Sequence, residues 1–301
     1  MNGLLYRTRS KCHLHWKDEG YSSSDSSQKF PTLYSDTIHY IKLKYKIRSL
    51  VKQSNHAQIY KAIHRETGQK VIIKRYLTAH FDTKELYFTE LAYKVCPEYC
   101  LPVMYKNIDS KYLTFIIPEY GMSLYDFMLF RSQVLSLKEA RYVFKQVVKC
   151  LLKLQHFGLY HLDIKEENIL IDPKTFKIKL IDFGCSSELP AFHKNIVGSK
   201  EFCAPEIYDG RSDFSNLRKH DVWSLAVTII SSMTGNTPYQ NIEDIISGEE
   251  DFEIKADVDR TFSRDLKDLL CLMMDLDPER RLSFRRVLKH EFFNMMTIGY
   301  V

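Results

Sequence analysis

Three oxygen-bearing side chains stand close together in the middle of the 301-residue chain: Asp163, Asn168 with four residues between them, and Asp182 further on. They lie in His161-Leu162-Asp163-Ile164-Lys165-Glu166-Glu167-Asn168-Ile169-Leu170-Ile171 and in Lys179-Leu180-Ile181-Asp182-Phe183-Gly184. An apolar run leaves Asn168 and another enters Asp182, so two short strands deliver all three to strand ends and tight loops. Carboxylate and amide oxygens are the hard ligands that Mg²⁺ prefers. A further carboxylate beside a lysine can orient a hydroxyl and offset negative charge. Those are the requirements of phosphoryl transfer, which asks for positioning and electrostatics and little covalent work. Asp-Phe-Gly alone is a weak signal; the spaced trio is a strong one.

The elements that must position these groups change character along the chain. From Tyr45 to Ile117 short β-type runs (YKIRSLV, AQIYKAI, KVIIKRY, YLTFII) follow one another, with a turn at Glu66-Thr67-Gly68. One helical patch interrupts them, with Leu86, Tyr87, Phe88, Leu91, Ala92 and Val95 at helical spacing. Beyond Pro118 helical periodicity takes over. Leu137, Ala140, Val143, Phe144, Val147, Val148, Leu151 and Leu154 form one stripe, and Leu266, Leu269, Leu270 and Met273 another. The run Val222 to Met233 is apolar on most faces and too short to span a bilayer, so it reads as a buried central helix. Strands with one helix, then mostly helices, imply an α+β protein of two lobes with a cleft between them.

With these residues in place, the stretch from about Tyr45 to Phe293 resembles the eukaryotic-type protein kinase family. HLDIKEEN is similar to that family's catalytic loop and IDFG to its Mg²⁺-binding motif. Val71-Ile72-Ile73-Lys74 resembles the strand carrying the ATP-phosphate lysine, and Cys203-Ala204-Pro205-Glu206 the end of the activation segment. Asp221-Val222-Trp223-Ser224 resembles the start of the central helix, and Asp277-Pro278-Glu279-Arg280-Arg281 the late segment whose arginine, here Arg281, pairs with Glu206. The resemblance implies a bilobal kinase-like fold, with an N-lobe over 45–117 and hinge and C-lobe over 118–295; the serine-rich, aperiodic stretch 1–44 reads as a flexible tail and 296–301 as a short one. It implies ATP and Mg²⁺ as cofactors. Asp163 would orient the acceptor hydroxyl, Lys165 would neutralise the transferring phosphoryl, Asn168 and Asp182 would hold Mg²⁺, and Lys74 would bridge phosphates. Val51 and Ile59 would border the nucleotide, and the backbone of Glu119 to Gly121, Tyr120 included, would hydrogen-bond adenine. A helix glutamate must position Lys74. Glu85, beside the inward face, is preferred to Glu90, which has Lys94 where a core residue is expected.

Departures from the family pattern carry their own expectations. Lys52, Ser54 and Ala57 occupy the glycine-rich loop's glycine positions, where backbone N–H groups approach phosphate closely. ATP affinity is therefore in question, and Lys52 either adds charge to the phosphates or faces solvent. Leu162 replaces the arginine that binds an activation-segment phosphate, and Asn195 stands at the usual phosphorylated position. The two changes agree on a kinase without need of that phosphate, Ser186 and Ser187 remaining as accessory sites. Ser199 matches the residue typical of Ser/Thr-specific members. Glu167 matches an acidic residue that meets a substrate arginine, so protein substrates with Ser/Thr acceptors in a basic consensus are expected. Pro118, read as guarding the rear of the pocket, with the Ser123-Leu124-Tyr125 step after it, gives a likeness to divergent kinases of large DNA viruses, herpesviral ones among them.

Composition is that of a globular protein, with 45% apolar and 27% charged residues. Residues 1–117 carry 19 Lys/Arg against 10 Asp/Glu, and the remainder 24 against 28. Such asymmetry suits a protein holding polyphosphate on one side and a cationic partner on the other, or simply solvated charge. Seven scattered cysteines and no signal-peptide pattern suggest reduced thiols in a cytoplasmic or nuclear setting, in a host cell if the chain is viral. The tail's YSSSDSS is an inert linker or a phosphorylated one. Cys12, His13 and His15 are too few for a metal site, and Cys96 and Cys100 read as ordinary thiols. No aromatic-basic motif supports nucleic-acid binding. A pseudokinase scaffold is the alternative function, and a small-molecule kinase a third that leaves the Cys203–Glu206 motif unexplained.

Overall fold

The β-branched and aromatic runs of the first third pair into a five-stranded antiparallel sheet of order β1-β2-β3-β5-β4. In the computed structural model, which describes residues 36–80, 83–188, 198–208, 214–239, 242–247 and 262–294, the strands are β1 Tyr45–Gln53, β2 Ala57–His64, β3 Lys70–Leu77, β4 Tyr105–Ile108 and β5 Tyr112–Pro118. The short, half-polar β4 (YKNI) carries no alternation long enough to announce itself; it forms because Tyr105 to Ile108 pair with Ile116 to Leu113 of β5. The period of two sorts the sheet's faces. Ala62, Val71, Ile73 and Ile116 bury on the outer face with Tyr45 and Ile41. Ile72, Tyr76, Leu113, Phe115 and Ile117 pack on the inner face against Leu86 of α2 (Lys84–Val95) and against Leu170 and Ile181 beyond the cleft.

The flexible tail expected over 1–44 is corrected at its end: Asp36–Lys44 form a helix, α1. Ile41 is buried, Tyr40 stacks on Tyr105 at 4.5 Å, and Asn107 Nδ2 donates to Thr37 Oγ1 at 2.5 Å. The helix covers the outer face of the sheet, which would otherwise leave its apolar set in water. Its weak periodicity hid it. The serine-rich stretch, Cys12, His13, His15, Asn195 and residues 296–301 lie outside the described residues.

The second half is built on helices with legible ends. Ser123 caps α3 (Leu124–Arg131) by accepting from Asp126 N–H, and Ser136 with Glu139 forms a reciprocal capping box on α4 (Leu137–His156). Short strands β6 (Met122–Ser123), β8 (Ile169–Ile171) and β9 (Ile178–Leu180) form a three-stranded sheet under the cleft. A two-stranded pair joins β7 (Leu159–Tyr160) to β10 (Ser187–Glu188). After α5 (Pro205–Tyr208) comes α6 (Phe214–Thr234), in which Val222, Trp223, Leu225, Ala226, Val227, Ile229, Ile230 and Met233 are buried, as expected of a central helix. It is followed by α7 (Ile242–Ser247) and helices over Arg264–Met273, Phe284–Lys289 and Glu291–Asn294. Among the described residues no helix is long and apolar enough to cross a membrane.

Candidate active site

One face of α6 is a row of hydrogen-bonding side chains that fixes the loop His161–Asn168. Asp221, fully buried, accepts from His161 N–H at 3.0 Å and Leu162 N–H at 2.8 Å. Thr228 Oγ1 donates to Ile164 O at 3.3 Å, and Ser231 donates to Glu166. Held this way, Leu162 adopts a left-handed φ of 63°, which costs a leucine about 1–2 kcal/mol. The turn brings Asp163 into a closed network. Asn168 Nδ2 donates to Asp163 O (2.8 Å) and Oδ2 (2.9 Å), Lys165 Nζ lies 2.8 Å from Oδ2, and Ser199 N–H donates to Oδ1 at 2.9 Å. Lys165 Nζ also donates to Ser199 Oγ at 2.7 Å. Burial pushes the Asp163 carboxyl up, but Lys165's charge and hydrogen bond, with His161 and the Ser199 amide, hold it below its ordinary value. Gly198 is required where it stands: its φ is +98°, and a Cβ would meet Leu162 O at 2.4 Å.

Lys74 and Glu85 meet across the cleft's inner wall, Nζ to Oε1 at 2.5 Å, and both are buried. Glu90 instead faces solvent and pairs with Lys106. Burial would lower the Lys74 pKa, yet Glu85, Tyr76 and Asp182 together raise it, so the ammonium is firmly charged. Tyr76, two residues along the same face of β3, stacks on Phe115 and hydrogen-bonds Glu85. Motif reading did not find it; its place at i+2 from Lys74 on a strand is the signal that could have. Asp182 is exposed in the cleft with a left-handed φ of 66°, and Phe183 beneath it is buried against the His161 ring at 4.9 Å.

At the hairpin joining β1 and β2 a serine closes the turn on itself. Ser54 N–H donates to Ala57 O, and its Oγ accepts from the amides of His56 (3.3 Å) and Ala57 (3.1 Å). These amides are occupied within the turn. Ile59 pairs directly with Lys74 and shares its face, while Val51 is exposed at an irregularity in the β1–β2 register.

Three expectations at the hinge and beyond require correction. Ile117 pairs with Ile72 and packs on the inner face, whereas Pro118 pairs with Val71 on the other side. Ile117, not Pro118, therefore closes the pocket's rear, and of the two features behind the viral likeness only the Ser123-Leu124-Tyr125 step is left. Glu119 N–H donates to Lys70 O, and its carboxylate turns to Lys61 (3.2 Å) and Arg48 (3.8 Å), so Glu119 does not offer its amide to adenine. Tyr120 packs at the pocket edge, its hydroxyl on Lys177 O. Ser186 and Ser187 are buried, Ser186 Oγ donating to His161 O, which removes them as accessible modification sites.

Asn168 and Asp182 supply amide and carboxylate oxygen at the cleft floor. The Asn168 Nδ2 is committed to Asp163, which leaves Oδ1 as the side chain's oxygen donor. Among the described residues no three His, Cys, Asp or Glu are grouped to hold a metal unaided. Two hard oxygen donors fit Mg²⁺ that takes its remaining ligands from phosphate and water. Cys96, Cys100 and Cys150 are buried free thiols. Further down, Arg281 forks onto Glu206, Nη1–Oε1 2.6 Å and Nη2–Oε2 2.9 Å, anchoring the segment that follows Ser199.

A two-lobed frame with an oxygen-lined cleft, a buried lysine–glutamate pair and a lysine-supported aspartate defines a phosphotransferase class of site. Residues 45–293 match the protein kinase domain model, and the chain belongs to that family. It is 31% identical over 188 residues to the probable serine/threonine-protein kinase HSL1 of Saccharomyces cerevisiae, covering 60% of this chain and 12% of that protein. It is 28% identical over 265 residues to the maternal embryonic leucine zipper kinase of Xenopus laevis, covering 85% and 40%. The serine/threonine-protein kinase PSK2 of Saccharomyces cerevisiae is 31% identical over 175 residues, covering 56% and 16%. The matches span less than half the length of each of these relatives.

Proposed function

We propose that the chain transfers the γ-phosphoryl group of ATP, with Mg²⁺, to Ser or Thr hydroxyls of proteins. The observation that carries this reading is the Asp163–Lys165–Ser199 network. Asp163, kept ionised by Lys165, can orient an entering hydroxyl and take its proton. Lys165 stands ready to offset charge on the group in transit, and Lys74, held by Glu85, can bind phosphate oxygens. When bound between Asn168 and Asp182, Mg²⁺ supplies charge neutralisation to the phosphates. The relatives' names support serine and threonine as acceptors, as does Ser199. Glu167, half-buried beside Asn168, supports a basic residue near the acceptor.

Independence from an activation-segment phosphate has support of its own. Leu162 is buried and cannot bind phosphate, and Tyr87 of α2 already donates to Glu188 Oε2 of β10 at 3.2 Å. That bond ties helix to segment without modification. Protein expressed with and without phosphatase treatment should phosphorylate histone equally, with sites mapped by mass spectrometry. No transfer above the level of Asp163→Ala refutes catalysis. The Ser54-closed turn favours a second reading, a binding scaffold that does not turn over ATP; the absence of both a Tm rise with Mg·ATP and phosphoryl transfer would select it.

A further inference from the structure

We infer that His220 is a positioning residue that ties the substrate-receiving segment to the catalytic loop. The imidazole is buried between the two. Ala204 N–H approaches Nδ1 at 3.4 Å, and Nε2 faces Leu162 O at 3.4 Å. An amide nitrogen only donates and a carbonyl oxygen only accepts, so the ring is neutral with its proton on Nε2. Burial holds the ring's pKa below its usual value. Arg281 acts in the same sense, and Asp221 and Glu206 oppose without reversing it. One turn along α6, Ser224 Oγ donates to Phe202 O at 2.7 Å. The segment is thus held at two successive points, by His220 at Ala204 and by Ser224 at Phe202.

The carbonyl that His220 meets is the one a Cβ at Gly198 would strike. Leu162 O therefore lies where catalytic loop, Gly198 and α6 converge, a place made by the left-handed turn at Leu162. A peptide whose hydroxyl is aimed at Asp163 must lay its neighbouring residues on 199–204, because Ser199 is bonded to Asp163 itself. His220 sets the distance between that bed and the catalytic aspartate and touches no reacting atom.

The inference rests on phosphoryl transfer to peptides, so one of its readouts does not require turnover. Two variants divide the ring's roles. His220→Asn keeps an acceptor near the Nδ1 position, and His220→Gln keeps a donor near Nε2 but no acceptor at Nδ1. Losing either hydrogen bond opens the tie, so His220→Gln and His220→Asn should each raise the peptide KM about three- to tenfold, with the ATP KM within about twofold. Hydrogen exchange at the Ala204 amide should quicken by a similar factor in His220→Gln and not in His220→Asn, whether or not the protein turns over. Losses shared by the peptide and ATP KM values and tracking Tm would overturn the inference, as would unchanged exchange at the Ala204 amide in His220→Gln. An inactive wild type would refute the kinase reading, and the exchange result would still decide the link.

Discussion

Replacing Glu85 by Gln should cripple the enzyme, and the same change at Glu90 should not, although both carboxylates hold a lysine at nearly equal distance. Lys74–Glu85 is 2.5 Å with side chains 11% and 7% exposed; Lys106–Glu90 is 2.7 Å with side chains 52% and 38% exposed. Distance therefore cannot decide between them, and burial does. An exposed pair is solvated and screened and contributes at most about 1 kcal/mol. The buried pair cannot return to water when one partner is changed. Glutamine preserves shape and an acceptor oxygen but removes the charge that keeps Lys74 in place, a loss of about 1.5–3 kcal/mol for a hydrogen bond to a charged group. Expressed on kcat/KM for ATP, that is roughly a 10- to 150-fold decrease. Glu90→Gln should stay within about twofold. Initial-rate kinetics with a basic peptide and varied Mg·ATP measure both. Equal effects at the two positions, or a Glu85→Gln loss under about threefold, would refute the claim that desolvation sets the pair's worth.

Arg281→Lys keeps the charge but loses the two-pronged contact with Glu206 and the guanidinium's place over Trp223, 5.0 Å from the ring centroid. A cost of about 2–4 kcal/mol, or roughly 5–15 °C in Tm, is expected by thermal unfolding. Gly121→Ala places a Cβ 2.0 Å from Ile171 O at a φ of +39°, whereas Gly68→Ala at +69° meets open space. The first should destabilise by more than about 2 kcal/mol and the second by about 1 kcal/mol, measured by urea unfolding. Because the folded Asp163 carboxyl titrates below its usual value, its contribution is complete above the unfolded pKa of about 4 and is lost as pH falls through the lower folded value. The stability difference between wild type and Asp163→Asn should be flat from about pH 5 to 8 and shrink only below about pH 4.

Much of this was written in residue order. The strands of the N-lobe, the stripe of α4 and the buried α6 follow from periods of 2 and 3.6, which depend on local side-chain direction alone. Glu85 was separable from Glu90 because a helix register says which side faces inward. The α1 helix and β4 were not legible, since each exists through what it covers or pairs with: α1 through Tyr40 on Tyr105, and β4 through its ladder with β5. Pro118 and Ile117 are adjacent in sequence and opposite in space. Choosing between them needed the β3–β5 register, because a shift of one residue exchanges a strand's faces.

Residue types and spacing by themselves determined the chemistry available here, because oxygen donors, a lysine and short apolar strands are properties of the chain in any conformation. Tertiary structure alone decided which of them meet. Burial gives Lys74–Glu85 its strength, Asp221 imposes the turn at Leu162, and α6 brings His220 to Ala204 sixteen residues away in sequence. Such contacts depend on the dielectric and geometry of a packed interior, which no local stretch of sequence contains.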